Sequence, residues 1–119
     1  MERGREACGD GVHDRFAVNT SNYYTTAEST TRATELLQAL GGGLHYLIDT
    51  SRNGNGSDGS SCNPVGAKVG TPAQPGPSPA DLFLWVHTPG ESDGACGVTP
   101  DLPPRTFSAL LAHHLITGT

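Results

Sequence analysis

Three short apolar runs that stand far apart in the chain restrict its fold more than any other feature of the sequence. They cover residues 16–18, 44–48 and 82–86, and the last two consist mostly of residues that favour strands. Nearly continuous apolar runs of this length are typical of parallel strands buried on both faces. A helical pattern separates the first run from the second. The order therefore predicts an α/β fold with a parallel sheet of about three strands.

A helix is predicted between the first two runs, over residues 27–40. Thr25 and Glu28 form the T-x-x-E pattern of a capping box. Behind it, apolar residues recur at spacings of three and four, as one face of a helix requires: Ala33, Leu36, Leu37 and Leu40. Glycines at 41–43 then end the pattern. A shorter amphipathic helix is predicted near the C-terminus from Phe107, Leu110, Leu111 and either His114 or Leu115.

Much of the remaining chain is predicted to be loop. Gly and Pro supply 16 and 9 of the 119 residues, and residues 51–80 are dominated by Gly, Pro, Ser and Asn. A loop of that length within a compact domain is usually functional or disordered. The chain is also short for a complete α/β barrel, which usually needs roughly 200 to 250 residues.

Charge and composition exclude several classes of partner. The net charge is −5 without any cluster of Lys or Arg, whereas nucleic-acid binding needs concentrated positive charge. A neutral polymer such as a polysaccharide makes no such demand. No apolar run reaches the roughly 18–20 residues that span a membrane, and residues 1–14 lack the apolar core of a signal peptide. The cysteines, Cys8, Cys62 and Cys96, form no C-x-x-C pair, so neither a metal site nor a cofactor is predicted.

Each apolar run passes directly into hydrogen-bonding and ionisable residues. These are residues 19–22, 49–53 and 87–93. Parallel α/β proteins build their sites at the carboxyl ends of their strands, so the three segments together predict a functional site there. The alternative is that each strand simply ends in a polar turn. This alternative explains three such strand ends less well than it explains one.

Four motifs in these segments resemble those of glycoside hydrolase family 6. They are FAVNTSNYYTT at 16–26, YLIDTSRNGNG at 46–56, CNP with a later GTP within 62–72, and FLWVHTPGESDG at 83–94. The corresponding family motifs are FAxNxSNYYTT, [FY]xIDTSRNGNG, WCNPPGRALGTPP and FLWVKxPGESDG, in the same order. The resemblance extends from about Arg15 to Leu111. We therefore divide the chain into an unmatched segment, 1–14, and the C-terminal part of a glycoside hydrolase catalytic domain, 15–119.

The resemblance implies a cellulase-type enzyme, an endoglucanase or cellobiohydrolase, and a distorted seven-stranded (β/α) barrel of which this chain forms the C-terminal part. Such enzymes hydrolyse β-1,4-glucosidic bonds with inversion, using one carboxylic acid to protonate the leaving oxygen and one carboxylate to activate water. Asp93 matches the family's proposed catalytic base, and Asn22 and Glu91 match positions that bind sugar hydroxyls. Cys62 and Cys96 match a family disulfide. The implied partner is cellulose or a cello-oligosaccharide, and the implied location is outside the cell.

Two further motif residues, Asp49 and Arg52, are interpreted as an ion pair that supports the loop rather than as catalytic groups. The assigned site residues also have ordinary alternatives. The alternative for Asp93 is a turn residue before glycine, for Glu91 a solvated loop charge and for Asn22 a side-chain cap of a turn, and the resemblance favours the functional role in each case.

The aromatic residues and histidines allow further interpretations. Tyr23 and Tyr24 are candidates for stacking on sugar rings. Trp85 is a third candidate for stacking, but it lies within an apolar run and is expected in the core. His113 and His114 are expected on the surface of the last helix.

Three departures from the family pattern bear on activity. Ser61 stands where the family has a tryptophan that can stack on a pyranose, and His87 stands where it has a lysine. We expect both replacements to weaken sugar binding, because serine has no aromatic face and imidazole is mostly neutral at pH 7. The third departure is that the motif of the proton-donor aspartate is missing, since neither Asp10 nor Asp14 stands in it. The isolated chain is therefore expected to be inactive, and the competing hypothesis is a glucan-binding protein without turnover.

Overall fold

The computed structural model describes residues 15–41 and 43–119. Its sheet has four strands in the order β1-β2-β4-β3, where β1 is Arg15–Val18, β2 is His45–Asp49, β3 is Gln74–Pro75 and β4 is Ala80–Leu84. The strands β1, β2 and β4 run parallel, which confirms the predicted parallel arrangement. The unmatched segment 1–14, which includes Cys8, lies outside the described residues.

The short strand β3 corrects the prediction that residues 51–80 form one loop. It pairs antiparallel with β4 through Gln74 and Pro75. A two-residue strand with proline at the sheet edge carries no recognisable periodicity, and proline is tolerated there because an edge position needs fewer backbone donors.

The helix α1, Thr26–Leu40, begins and ends at the predicted signals. The Glu28 amide donates to the Thr25 hydroxyl at 3.1 Å, and the Thr25 amide donates to the Glu28 carboxylate at 3.0 Å, which completes the capping box. Gly41 ends the helix with φ of 93°, a left-handed conformation that glycine adopts without steric cost.

The helix α2, Ala109–Thr117, starts later than the sequence pattern predicts. Ser108 is its N-cap and accepts a hydrogen bond from the Leu111 amide at 3.1 Å. Phe107, which was assigned to this helix, lies before the cap, forms an isolated bridge with Glu91 and is largely exposed. His113 is exposed and His114 is half-buried.

Two apolar clusters hold these elements together. The first lies between α1 and one face of the sheet and comprises Ala33, Tyr46, Ile48 and Ala80, with Phe16, Val18, Leu37 and Phe83 packed around them. The second lies beneath the long loop and comprises Tyr23, Ala67, Leu111 and Leu115. The second cluster shows why the loop is ordered: it is packed against α2, and the Val69 amide donates to the Leu115 carbonyl at 3.0 Å.

The opposite face of the sheet differs from the expectation that the strands are buried on both faces. Ala17, Leu47 and Leu82 lie side by side in register on that face, and both Ala17 and Leu82 are exposed. Only the face toward α1 is covered by a second layer in the described part of the chain.

Trp85 also contradicts its predicted place in the core. The strand β4 ends at Leu84, two residues before the end of the apolar run, and the indole of Trp85 is 41% exposed. Its N–H donates to the Thr71 carbonyl at 2.9 Å, which links the end of β4 to the loop before β3.

Among residues 15–41 and 43–119 there is no helix long and apolar enough to span a membrane.

Candidate active site

Asp93 lies at the centre of the polar groups gathered beyond the carboxyl ends of the strands. Its Oδ1 accepts from Arg52 Nη1 at 2.6 Å, while its Oδ2 accepts from the Tyr23 hydroxyl at 2.5 Å and the Asn63 amide at 3.0 Å. Burial of the carboxyl opposes ionisation, but the hydrogen bonds from Tyr23, Asn63 and Arg52 together outweigh it and lower the pKa of Asp93. Asp93 is therefore a fixed, ionised carboxylate.

Arg52 is a buried cation with Asp93 as its counter-ion. Its guanidinium also donates to the Tyr23 hydroxyl and lies over the Tyr23 ring, 4.2 Å from the centroid. Its Nε is buried and has no hydrogen-bond partner in the part of the chain that the structure describes. The expected ion pair between Arg52 and Asp49 is thus wrong, because the arginine turns away from its own strand toward the loop that follows β4.

Asp49 instead joins two loops through backbone hydrogen bonds. Its Oδ1 accepts from the Ser51 amide at 2.8 Å and its Oδ2 accepts from the His87 amide at 3.0 Å. The loops after β2 and β4 are thereby held side by side, since the Thr50 amide also donates to the Leu84 carbonyl at 2.9 Å. This contact explains how His87 and Arg52 come to lie on one side of the site.

Asn63 is a structural residue of the site that the sequence interpretation missed. It is buried at φ of 44°, and its Oδ1 accepts from the Asp93 amide at 2.9 Å. Its Nδ2 lies within hydrogen-bonding distance of four oxygens, those of the Ser92 and Thr99 hydroxyls and the Gly94 and Cys96 carbonyls. The sequence around Asn63 does indicate a structural role, because asparagine tolerates a left-handed backbone and this one stands between Cys62 and a proline.

The disulfide between Cys62 and Cys96 is present, as predicted, with 5.9 Å between the Cα atoms. It links the loop that carries Asn63 to the loop that carries Asp93. The covalent bond and the Asn63 hydrogen bonds therefore act on the same pair of loops.

Asp93 opens into a cleft of about 380 Å³. Its lining residues are Thr20, Ser21, Arg52, Ser61, His87, Ser92, Asp93, Pro104 and Arg105. Both positions that depart from the family pattern, Ser61 and His87, therefore lie in one cleft with Asp93. His87 Nε2 is 3.2 Å from the Glu91 carbonyl oxygen and 4.0 Å from Asp93 Oδ1.

Two predicted sugar-binding residues lie apart from this cleft lining. Asn22 lines a second cavity of about 600 Å³ between β1 and α1, together with Val18, Tyr24 and Arg32. Glu91 is half-buried and its backbone pairs with Phe107.

Asn19, which the sequence interpretation passed over, holds the turn where Asn22 was the predicted cap. The Tyr24 amide donates to its Oδ1 at 3.0 Å, and its Nδ2 donates to the Tyr24 and Asp49 carbonyls at 3.0 and 3.1 Å. Asn19 adopts φ of 70°, which explains why an asparagine stands there.

Tyr23 was a candidate for stacking on a sugar ring, and its position contradicts that interpretation. It is buried, belongs to the second apolar cluster and hydrogen-bonds Asp93. Tyr24 is half-buried, and the Arg32 guanidinium lies over its ring, 4.1 Å from the centroid.

The described residues include no group of three or more His, Cys, Asp or Glu that could hold a metal ion.

Burial makes Tyr23 a source of alkaline instability. Desolvation raises the pKa of its hydroxyl above the ordinary value, despite the nearby Arg52 charge. The unfolded tyrosine ionises near pH ~10 whereas the folded one keeps its proton, so the free energy of unfolding should fall by about 1.4 kcal/mol per pH unit above that value. Below it, this group adds no pH dependence.

The alkaline effect is measurable by urea denaturation between pH 8 and 11 (roughly the range around the tyrosine pKa), with Tyr23→Phe as the reference. The wild-type chain should show the steeper loss of stability, because the other tyrosines are common to both proteins. Equal slopes in the two proteins would contradict the role assigned to Tyr23.

Comparison with known proteins supplies the family context for this geometry. The model of glycosyl hydrolases family 6 matches residues 5–105, so the match begins before Arg15, where the sequence motifs start. Endoglucanase 1 of Streptomyces halstedii is 45% identical over 107 residues, covering 87% of this chain and 33% of that protein. Endoglucanase A of Cellulomonas fimi is 53% identical over 87 residues, covering 71% of this chain and 19% of that protein.

A solved structure shows a similar fold. The endoglucanase Cel6 of Mycobacterium tuberculosis, in complex with methyl-cellobiosyl-4-deoxy-4-thio-β-D-cellobioside, matches with a TM-score of 0.77 and 36% identity. The match covers 86% of this chain and 36% of that one. The chain thus spans about a third or less of the length of these relatives.

Proposed function

This chain belongs to glycosyl hydrolases family 6, and from that premise we propose that its cleft binds a β-1,4-glucan and that Asp93 acts as the general base in hydrolysis with inversion. The family membership confirms the resemblance read from the four motifs. The observation that carries the proposal is the ionised, positioned Asp93 carboxylate in an open cleft lined by hydroxyl groups.

The hydrogen bonds of Asp93 indicate which of its oxygens would hold the attacking water. A carboxylate oxygen accepts about two hydrogen bonds. Oδ2 already accepts from Tyr23 and Asn63, whereas Oδ1 accepts only from Arg52 among the described residues. Oδ1 therefore retains one acceptor position, on the side where His87 lies 4.0 Å away. A water bound there would be oriented by Oδ1 and would lose its proton to it.

The second carboxyl group that inversion needs would come from another part of the catalytic domain. Asp93 is the only carboxylate that lines the cleft in the described ranges. The acid of an inverting enzyme stands ~6.5–9.5 Å from the base, so that water fits between them. We propose that further strands beyond β1 complete a (β/α) barrel and carry this acid. The apolar face formed by Ala17, Leu47 and Leu82 would then line the barrel interior.

The departures at Ser61 and His87 bear on how the cleft would hold sugar. Ser61 is exposed and provides a hydroxyl where an aromatic face would otherwise stack on a pyranose ring. His87 would offer one imidazole N–H, already directed at the Glu91 carbonyl, in place of an ammonium group. We propose weaker binding at both positions, with Asn22 and Glu91 contributing to subsites outside this cleft. The disulfide supports a place in an oxidising compartment, consistent with secretion.

The decisive variant is Asp93→Asn, assayed on a soluble β-1,4-glucan with the chain alone and with the complementary part of a family 6 domain. Removal of a general base should lower the hydrolysis rate at least about 100-fold. Affinity for a neutral cello-oligosaccharide should change little, because the amide can still accept a hydrogen bond. The matched control is Asp101→Asn, which makes the same charge change at an exposed loop residue. Equal and measurable rates for wild type and Asp93→Asn would reject Asp93 as the base.

A second candidate, glucan binding without cleavage, is favoured by how firmly Asp93 is held. Its lowered pKa makes it a weak base, and most of its acceptor positions are occupied. Affinity for cello-oligosaccharides with no product from the wild-type chain, even in the presence of the complementary part, would support this function over hydrolysis.

A further inference from the structure

Arg105 has an unusual backbone conformation beside the proposed active site. Its φ is 65°, in the left-handed region that a residue with a long side chain rarely adopts. Its amide donates to the Ser92 carbonyl at 2.7 Å, and the Ser92 amide donates to the Thr106 carbonyl at 2.9 Å. These two bonds fix the Arg105 backbone next to the residue that precedes Asp93.

The Arg105 side chain lies where it could bind a ligand in the cleft. Arg105 is exposed, lines the same cleft as Asp93 and forms no ion pair with any residue of the described ranges. The other arginine of the cleft, Arg52, is buried and already paired with Asp93. Glycine would adopt this backbone conformation without strain, so an arginine here keeps a cost of about 1 kcal/mol or more that no ion pair with a described residue offsets.

The charge of the cleft is opposite in sign to that of the whole chain. The chain carries a net charge of −5. The cleft is lined by two guanidinium groups, one carboxylate and the imidazole of His87. One carboxylate cancels one guanidinium, which leaves a positive excess at Arg105. Local charge of this kind favours anionic groups on an incoming ligand.

We propose that Arg105 is a specificity residue that binds a carboxylate substituent on the glucan, so that the cleft prefers an acidic β-glucan to a neutral one. This inference rests on the proposed glucan binding and adds the substrate class. A guanidinium pairs with a carboxylate through two parallel N–H···O bonds, whereas neutral sugar hydroxyls need no charge.

The test compares two probes by isothermal titration calorimetry at low salt: cellotetraose, and cellotetraose in which one glucosyl unit carries a C6 carboxylate. Wild type should bind the acidic probe about tenfold more tightly, as a charge-assisted hydrogen bond allows. Arg105→Gly should abolish this preference, so that the two probes bind with equal affinity, and Arg105→Lys should retain part of it. Higher ionic strength should reduce the wild-type preference.

Stability provides an independent readout. Arg105→Gly should raise the thermal midpoint, because glycine relieves the left-handed backbone, so binding and stability should move in opposite directions. Lys68→Gln, which removes one positive charge at an exposed residue outside the cleft, should leave the probe preference intact. A wild-type chain that binds both probes equally, or an Arg105→Gly variant that keeps the preference, would overturn the inference and leave glucan binding standing. Failure to bind either probe would reject both proposals.

Discussion

Replacement of Arg52 by methionine is expected to lower the free energy of unfolding by about 3–5 kcal/mol, the usual effect of removing one partner of a buried ion pair. The Arg52 side chain is 2% exposed and contributes the ion pair with Asp93, the hydrogen bond to Tyr23 and the contact with the Tyr23 ring. Methionine fills similar volume but leaves the Asp93 carboxylate without its counter-ion. The energetic loss is therefore mainly electrostatic.

The measurement is urea denaturation of Arg52→Met, Asp93→Asn and the double variant at neutral pH. The double variant should be less destabilised than the two single changes predict by addition, because the uncompensated carboxylate is then gone. Arg52→Lys is the matched control, since it keeps the charge but not the planar donor geometry, and it should lie between wild type and Arg52→Met. Strict additivity of the two single changes would show that the pair contributes nothing.

The ion pair between Arg52 and Asp93 also predicts that the free energy of unfolding falls at acid pH. Because the folded pKa of Asp93 is lowered, its contribution is complete above the ordinary aspartate value of about 4 and is lost as the pH falls through the lowered folded value. Arg52→Met should weaken that acid dependence.

Loss of the disulfide is the second large effect expected. Cys62 and Cys96 are separated by 34 positions, and closure of a loop of that length corresponds to about 4 kcal/mol in the chain-entropy model. The double variant Cys62→Ser/Cys96→Ser should therefore lose about that much free energy of unfolding. It should also weaken the position of Asp93, since Asn63 lies next to Cys62 and hydrogen-bonds Asp93 through both its backbone and its side chain.

The comparison is made by guanidinium denaturation of the oxidised wild type, the reduced wild type and the double variant. Cys8→Ser is the control, because it removes a thiol and leaves the bridge intact. Reduction should destabilise wild type and Cys8→Ser alike and leave the double variant unchanged. A loss below about 1 kcal/mol would contradict the loop-closure argument.

Local patterns predicted the elements of this fold well where the pattern was itself local. The capping box of Thr25 and Glu28 and the terminal Gly41 define α1, and the apolar runs locate the three parallel strands. Where tertiary packing determines the bounds of an element, the sequence was less informative. The strand β3 has no periodicity, and Trp85 lies beyond the end of β4 although it continues an apolar run.

In the candidate site, too, the motifs predicted which residues belong to it but not the contacts that depend on tertiary structure. The motifs predicted that Asp93, Ser61 and His87 belong together, and all three line one cleft. Which side chain pairs with Arg52 could not be read from the motif, because Asp49 is near in sequence whereas Asp93 is near in space. Asn63 was missed for a similar reason, since its partners lie some 30 residues away and are brought to it by the fold.

The buried segment that follows β2 has a consequence for how the chain tolerates change. The last residue of β2, Asp49, and the four loop residues after it, 50–53, are all polar, yet all five are buried. Loops ordinarily absorb insertions and substitutions because their side chains meet water. Here each side chain has a position inside the protein, and one added residue would displace Arg52 from Asp93 and the Asp49 carboxylate from the His87 amide together. This loop should therefore tolerate insertions and substitutions as poorly as the hydrophobic core does, and its length is fixed as strictly as that of a strand in the sheet.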